Sequence, residues 1–143
     1  MLRSMLKSKI HRARVTGCCL DYEGSITIDP VLLRAADILP YEEVHVLNIQ
    51  TGARFTTYSI SGLEGQSEIC LNGAAARLAQ KGDTVIILAY AQLNESEVKS
   101  HMPHLVYVDE LNRISHTRRA IGAIKLEENF NESLHSDCSG HGR

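Results

Sequence analysis

The chain has 143 residues, 43% apolar and 22% charged, enough for one compact domain with an ordinary core. Its formal net charge of −2 argues against nucleic acid as the main partner, because neutralising phosphates takes a basic surface. With no Trp and two Phe, aliphatic side chains must build the interior.

Residues 1–20 carry Arg3, Lys7, Lys9, Arg12 and Arg14 and no acid, a composition shared with organellar transit peptides. No apolar h-region marks a secretory signal, and no apolar run reaches the length of a membrane helix. Within this segment "KIHRARVT" reads as an edge or half-buried strand, with Ile10 and Val15 apolar among polar neighbours. "DYEGSITIDP" then sets a turn, Glu23-Gly24-Ser25, before the alternating strand "SITID". Asp29 and Pro30 start a helix as N-cap and first helical residue. "VLLRAADIL" continues it, and Pro40 is expected to stop it.

Val44 and Val46 alternate against Glu43 and His45, after which Leu47 and Ile49 fall on the opposite face. "TGA" turns the chain and "RFTTYSIS" returns it, so Glu43 to Ser61 reads as a hairpin. "SEICLNG" is a further strand ending at the turn dipeptide Asn72-Gly73. "AAARLAQ" favours a short helix, ended by Lys81-Gly82-Asp83. "TVIILAYAQL" is long, β-branched and apolar, as a buried central strand must be, and "HLVYV" is another strand. Many short strands with two small helices indicate a mainly β chain closed into a small barrel. That single domain covers residues 1–125. From 126 to 143 the chain turns polar and rich in Gly and Ser, the composition of a disordered tail. The sequence displays no internal repeat.

Cys18, Cys19, Cys70 and Cys138 lack zinc-ribbon or redox spacing, which fits a reducing compartment. The Cys18-Cys19 pair reads as packing. His135, Cys138 and His141 read as a solvated tail rather than a metal site, since a structural site needs four oriented ligands. His101 and His104, flanking Pro103, read as a loop, and Asp109-Glu110 as a turn. There is no Walker loop, G-x-G-x-x-G or G-x-S-x-G.

Four features stand in order along the chain: Lys9 with His11; "YEGSITID" from Tyr22; "RFTTYSI" from Arg54; and "LNGAAA" from Leu71. Together they resemble the bacterial aspartate 1-decarboxylases over roughly the first four-fifths of the chain. The resemblance implies a double-psi β-barrel, a homotetramer with active sites between subunits, and decarboxylation of L-aspartate to β-alanine for pantothenate and coenzyme A synthesis. It also implies a cytoplasmic enzyme whose cofactor is a covalent pyruvoyl group made from Ser25, with no metal and no pyridoxal phosphate. Neither nucleic acid nor membrane is an implied partner. A separate maturation factor assists some members of the family.

On that resemblance the Ser25 hydroxyl attacks the Gly24 carbonyl, the amide becomes an ester, and β-elimination separates chains 1–24 and 25–143. Dehydroalanine hydrolysis then leaves the pyruvoyl group. Gly24, having no Cβ, would let the hydroxyl approach and permit an unusual backbone. Such a backbone stores on the order of 1–3 kcal/mol of strain. Thr57 would stabilise the oxyanion of the ring intermediate. The aspartate amine would form a Schiff base with the new carbonyl, which takes up the electron pair left by CO2.

The resemblance further assigns Arg54 and Lys9 to the substrate carboxylate, a planar fork and a compact charge. Tyr58 would return the proton to the α-carbon. Asn72, Gly73, Ala74 and Ala75 would line the pocket, their amides at a short helix N-terminus suiting an anionic group. His11 and Tyr22 would support it. Two rivals are a pyruvoyl decarboxylase for glutamate, separated by one methylene and so by roughly 1–3 kcal/mol, and a DNA-binding barrel, supported by the basic stretch Arg3 to Arg14.

Overall fold

Val44 and Val46 are fully buried while Glu43 is exposed and His45 half-buried, so the alternation read in the sequence is the inside and outside of a sheet. In a computed structural model of the chain, residues 1–120 are described. Nine strands follow one another: β1 (Arg3–Arg14), β2 (Gly17–Cys19), β3 (Ser25–Ile28), β4 (Glu43–Asn48), β5 (Arg54–Ser61), β6 (Ile69–Asn72), β7 (Thr84–Leu93), β8 (His104–Val108) and β9 (Ile114–Arg118). Helix α1 (Pro30–Ala36) joins β3 to β4, a 3-10 helix (Gly73–Arg77) joins β6 to β7, and α2 (Glu95–Val98) follows β7.

The ladder order is β2-β6-β3-β5-β4-β7-β1-β8-β9. Because β2 is the direct continuation of β1, the sheet closes on itself as a six-stranded barrel. Thr16 makes the closure: its backbone N–H donates to Ile69 O at 2.7 Å and its hydroxyl to the same carbonyl at 3.0 Å. The aliphatic interior expected from the composition is there, with Ile10, Ile26, Ile28, Val44, Val46, Ile69, Leu71, Val85 and Ile87 all at 0% exposure.

The barrel has a two-fold pattern that the sequence does not display. Exchanging β1/β2, β3 and β4 for β5, β6 and β7 maps every barrel pairing onto another or onto itself. The parallel pair β2·β6 becomes β5·β3, and the antiparallel pair β4·β5 becomes β7·β1. The antiparallel pairs β3·β6 and β4·β7 map onto themselves. Two interlocked halves of this kind make the double-psi barrel. Backbone pairing carries the symmetry, so the two halves need no common side chains.

Several expected boundaries move. β1 is longer than "KIHRARVT", starting at Arg3, because it pairs with both β7 and β8. Of its two register shifts against β7, the one between Ile10 and Ala13 takes in Arg12 at φ 63°. Asp29 does cap α1, accepting from Val31 N at 2.9 Å, with Pro30 behind it. The helix ends at Ala36 and not at Pro40, because Asp37 turns left-handed (φ 54°) and sends its N–H back to Arg34 O. "AAARLAQ" forms a 3-10 turn rather than an α-helix. His104 opens β8, which spans the "HLVYV" read as a strand, and His101 lies in the loop before it. The tail from 126 to 143 and its His135, Cys138 and His141 lie outside the described residues.

Candidate active site

β3 and β6 run antiparallel with Ser25 opposite Asn72 and Thr27 opposite Cys70. Strand alternation puts all four side chains on one face. Ser25 is 1% exposed and Asn72 3%. Asn72 Nδ2 donates to Ser25 Oγ and to Thr27 Oγ1, both at 2.9 Å, and the Cys70 thiol lies 3.5 Å from Asn72 Oδ1. The carboxamide therefore uses every group it has, as a buried amide must.

Glycine is demanded at 73 and not at 24. Gly73 has φ +64°, and a Cβ there would lie 2.8 Å from Gly24 Cα and N and 2.9 Å from Tyr22 O. A Cβ on Gly24 would meet nothing within 4 Å, and Gly24 is not among the positive-φ residues. The expectation of an unusual, strained Gly24 is thus corrected: the tight backbone is that of Gly73, which lets the 22–24 turn pass over it. Tyr22, Glu23 and Gly24 are exposed beside the buried Ser25.

Arg54, Thr57 and Tyr58 stand on β5 opposite Leu47, Val44 and Glu43 of β4. Arg54 and Tyr58 share the outer face and are exposed, whereas Thr57 is half-buried on the face of Val44. β3 runs parallel to β5 with Ile26 opposite Ser59, so Ser25 and Tyr58 immediately precede that pair on neighbouring strands. Ala75 is buried and Ala74 exposed. Their 3-10 helix has five residues, too short for the helix N-terminus argument made from the sequence.

Lys9 and His11 are not beside Ser25. Lys9 faces Leu88 of β7, Leu88 faces His45 of β4, and His45 faces Thr56 of β5. Three ladder steps of about 4.8 Å each separate Lys9 from the strand of Arg54, on the same outer face. Burial lowers the Lys9 pKa from its ordinary value. His11 is pushed down to about 4 by burial first, then by the charges of Lys9 and Arg12, and its Nδ1 is buried without a partner. Its ring meets Tyr107 edge-on at 5.4 Å, with Tyr107 stacked on His116 at 4.5 Å. Clefts of about 310 and 300 Å³ open around Arg77 and beside α1, and Ser25 lines neither.

Thr27 and Cys70 were missed as site residues, although period-2 alternation in "SITI" and "ICLN" puts them on the face of Ser25 and Asn72. Cys18 and Cys19 are exposed rather than packed, Cys18 lying 3.4 Å from Ala79 O. Among the described residues no cluster of His, Cys, Asp or Glu could hold a metal ion, and no helix is long and apolar enough to cross a membrane.

A closed double-psi barrel that buries a serine after glycine against an asparagine carboxamide defines the class, a small β-barrel protein with a polar cluster where β3 meets β6. Within that class the chain belongs to the aspartate decarboxylase family, whose model matches residues 1–115. It is 56% identical over 123 residues to an aspartate 1-decarboxylase from Dehalococcoides mccartyi, covering 86% of this chain and 99% of that protein. It is 58% identical over 113 residues to an aspartate 1-decarboxylase from Syntrophobacter fumaroxidans, covering 79% and 91%. It is also 55% identical over 121 residues to aspartate 1-decarboxylase 2 of Gloeobacter violaceus, covering 85% and 97%.

Proposed function

We propose that this chain is a self-processing enzyme that decarboxylates L-aspartate to β-alanine and CO2, supplying pantothenate synthesis. The observation that carries the reading is the buried Ser25 hydroxyl, held by Asn72 Nδ2 at 2.9 Å directly after an exposed Gly24, in a chain of this family. The Gly24–Ser25 bond opens to give chains 1–24 and 25–143, and residue 25 becomes the pyruvoyl group. The surroundings suit such a group: they are small, they supply an amide donor, and Gly73 leaves room where a Cβ would collide with the turn.

A pyruvoyl carbonyl, conjugated with its amide, supplies an electron sink for the pair released when the α-carboxylate departs as CO2. Arg54 holds the substrate carboxylate through its fork, and Lys9, three ladder steps from that strand in one chain, brings its compact cation to the site across the contact between copies. The Tyr58 hydroxyl, on the strand beside Ser25, delivers the proton to the α-carbon. Asn72 and the backbone of Gly73 to Ala75 wall the pocket, Thr57 supports the oxyanion during maturation, and His11 and Tyr22 are supporting residues. His11, held down to about 4, works as a neutral ring at neutral pH.

One chain walls this site on one side only. Arg54 is exposed, Tyr58 is 37% exposed, and both share with Lys9 an open outer face. A chemistry that develops charge gains from exclusion of water. We therefore infer a homotetramer whose neighbouring copies close the site, in a reducing, cytoplasmic setting that suits the exposed free thiols of Cys18 and Cys19.

Intact mass under denaturing conditions tests the reading. Two chains divided between Gly24 and Ser25, the second lighter than a serine-started chain, support it. One full-length chain that persists with and without cell extract refutes it, and cleavage only with extract assigns a maturation factor. Competition between aspartate and glutamate then reads the specificity, and light scattering the tetramer.

A further inference from the structure

Four side chains form a square where β3 meets β6: Ser25 and Thr27 on one strand, Asn72 and Cys70 on the other. The Asn72 carboxamide lies within it. Both Nδ2 hydrogens are committed, one to Ser25 Oγ and one to Thr27 Oγ1, each at 2.9 Å. Those hydroxyls do not select this orientation by themselves, because a hydroxyl donates or accepts alike. Turned over, the carboxamide would accept from both. The difference lies on its other side, where Cys70 Sγ is 3.5 Å from Oδ1. A thiol donates to a carbonyl oxygen, whereas sulfur is a weak acceptor for an amide N–H. Burial first, then the charges of Glu68, Cys18 and Cys19, raise the Cys70 pKa above its ordinary value, so the thiol keeps its proton.

We propose that Cys70 is a positioning residue for maturation: its S–H holds the Asn72 carboxamide with Nδ2, and not Oδ1, against Ser25 Oγ. The inference rests on the reading of Ser25 as the pyruvoyl precursor. In the first step Oγ bonds to the Gly24 carbonyl carbon, the bond from that carbon to the Ser25 nitrogen breaks, and the hydroxyl proton ends on the freed amine. In the second, residue 25 loses its Cα proton to water, Cα=Cβ forms, the Cβ–Oγ bond breaks, and Oγ departs within the Gly24 carboxylate. An N–H aimed at Oγ stabilises the charge gathering there, and a carbonyl oxygen in its place would oppose it. Cys70 therefore acts, through Asn72, on the breakdown of the ester.

The test compares freshly purified wild type, Cys70→Ser and Cys70→Ala. Each is incubated, sampled over time, and divided into portions with and without hydroxylamine, which cuts an ester and spares an amide. Intact masses then give the ester fraction and the mature fraction. Loss of one neutral donor is expected to slow maturation of Cys70→Ala about three- to tenfold and to raise its ester fraction, with Cys70→Ser close to wild type. Melting temperatures should agree among the three. Should Cys70→Ala not fold, Cys70→Val fills the space, lacks the donor and carries the same test. Equal rates for Cys70→Ala and wild type overturn the proposal. So does a Cys70→Ser as slow as Cys70→Ala, or a slowing without more ester. A wild type that stays one chain both with and without cell extract overturns the Ser25 reading instead, and is distinguishable because no variant then matters.

Discussion

Gly73 approaches Gly24 so closely that a Cβ on Gly73 would stand 2.8 Å from the Gly24 Cα and N. The 22–24 turn rests on the backbone of the residue after Asn72, and φ +64° at Gly73 is what allows both to fit.

Gly73→Ala should therefore fail twice, by its left-handed backbone and by collision with backbone atoms that cannot swing aside. Stability should fall by roughly 1–3 kcal/mol, and cleavage should slow as the turn is lifted. Gly24→Ala should leave stability near wild type, since its Cβ meets open space. Urea midpoints and intact masses of the two variants separate the steric glycine from the chemical one. Equal destabilisation by both would contradict this division.

Ser25→Ala should remain one chain without decarboxylase activity, since no hydroxyl remains to attack Gly24. Tyr58→Phe should divide normally and turn over more slowly, by about 10²–10⁴ for a lost acid–base group. Mass spectrometry and β-alanine formation report the two effects independently. A divided Ser25→Ala protein would sink the scheme.

His11 yields a pH dependence. Its pKa is held at about 4 in the folded chain, by burial first and by Lys9 and Arg12, against about 6.5 in the unfolded chain. The unfolded state thus binds the proton more readily. The stabilising difference is complete above pH of about 6.5 and is lost as pH falls toward about 4. Denaturation at pH 7 and pH 5 should show that loss in wild type, and His11→Gln should show less of it.

Asp29 carries the opposite end of the acid range. Burial would raise its pKa, but amide donors from Val31, Ser67 and Gly65, with the Arg34 charge, bring it below the ordinary value. Its carboxylate ties the start of α1 to the 65–67 loop at 2.9, 3.1 and 2.6 Å. Its contribution is present above the unfolded pKa, about 3.9, and is lost as pH falls through the lower folded value. Asp29→Ala should cost on the order of 2–4 kcal/mol at neutral pH, the sum of a lost cap and stranded amides. A urea midpoint unchanged in this variant would contradict that role.

The sequence alone determined what local chemistry determines. Asp29-Pro30 starts a helix because a short carboxylate and a fixed φ serve its first turn. The hairpin from Glu43 to Ser61 follows from alternation around a Gly-containing turn, and β7 from an unbroken β-branched run. The site residues were legible as motifs, "YEGSITID", "RFTTYSI" and "LNGAAA", because their resemblance to one family lies in short contiguous strings. The sequence also carries a signal for α2, whose Asn94 and Glu97 make a reciprocal capping box.

Tertiary structure decided whatever depends on partners distant in the chain. β2 pairs with the distant β6, Gly17 opposite Cys70, and β9 pairs, among the described residues, with β8 alone, so three and five residues became strands through their neighbours rather than their own pattern. The two-fold of the barrel resides in backbone ladders and leaves no repeat of side chains. Gly73, and not Gly24, proved to be the glycine that geometry requires, because only the folded chain brings the 22–24 turn across it. Cys70 joined Ser25 through Asn72 for the same reason: alternation can put residues on one face, but the register of β3 on β6 selects which of them touch.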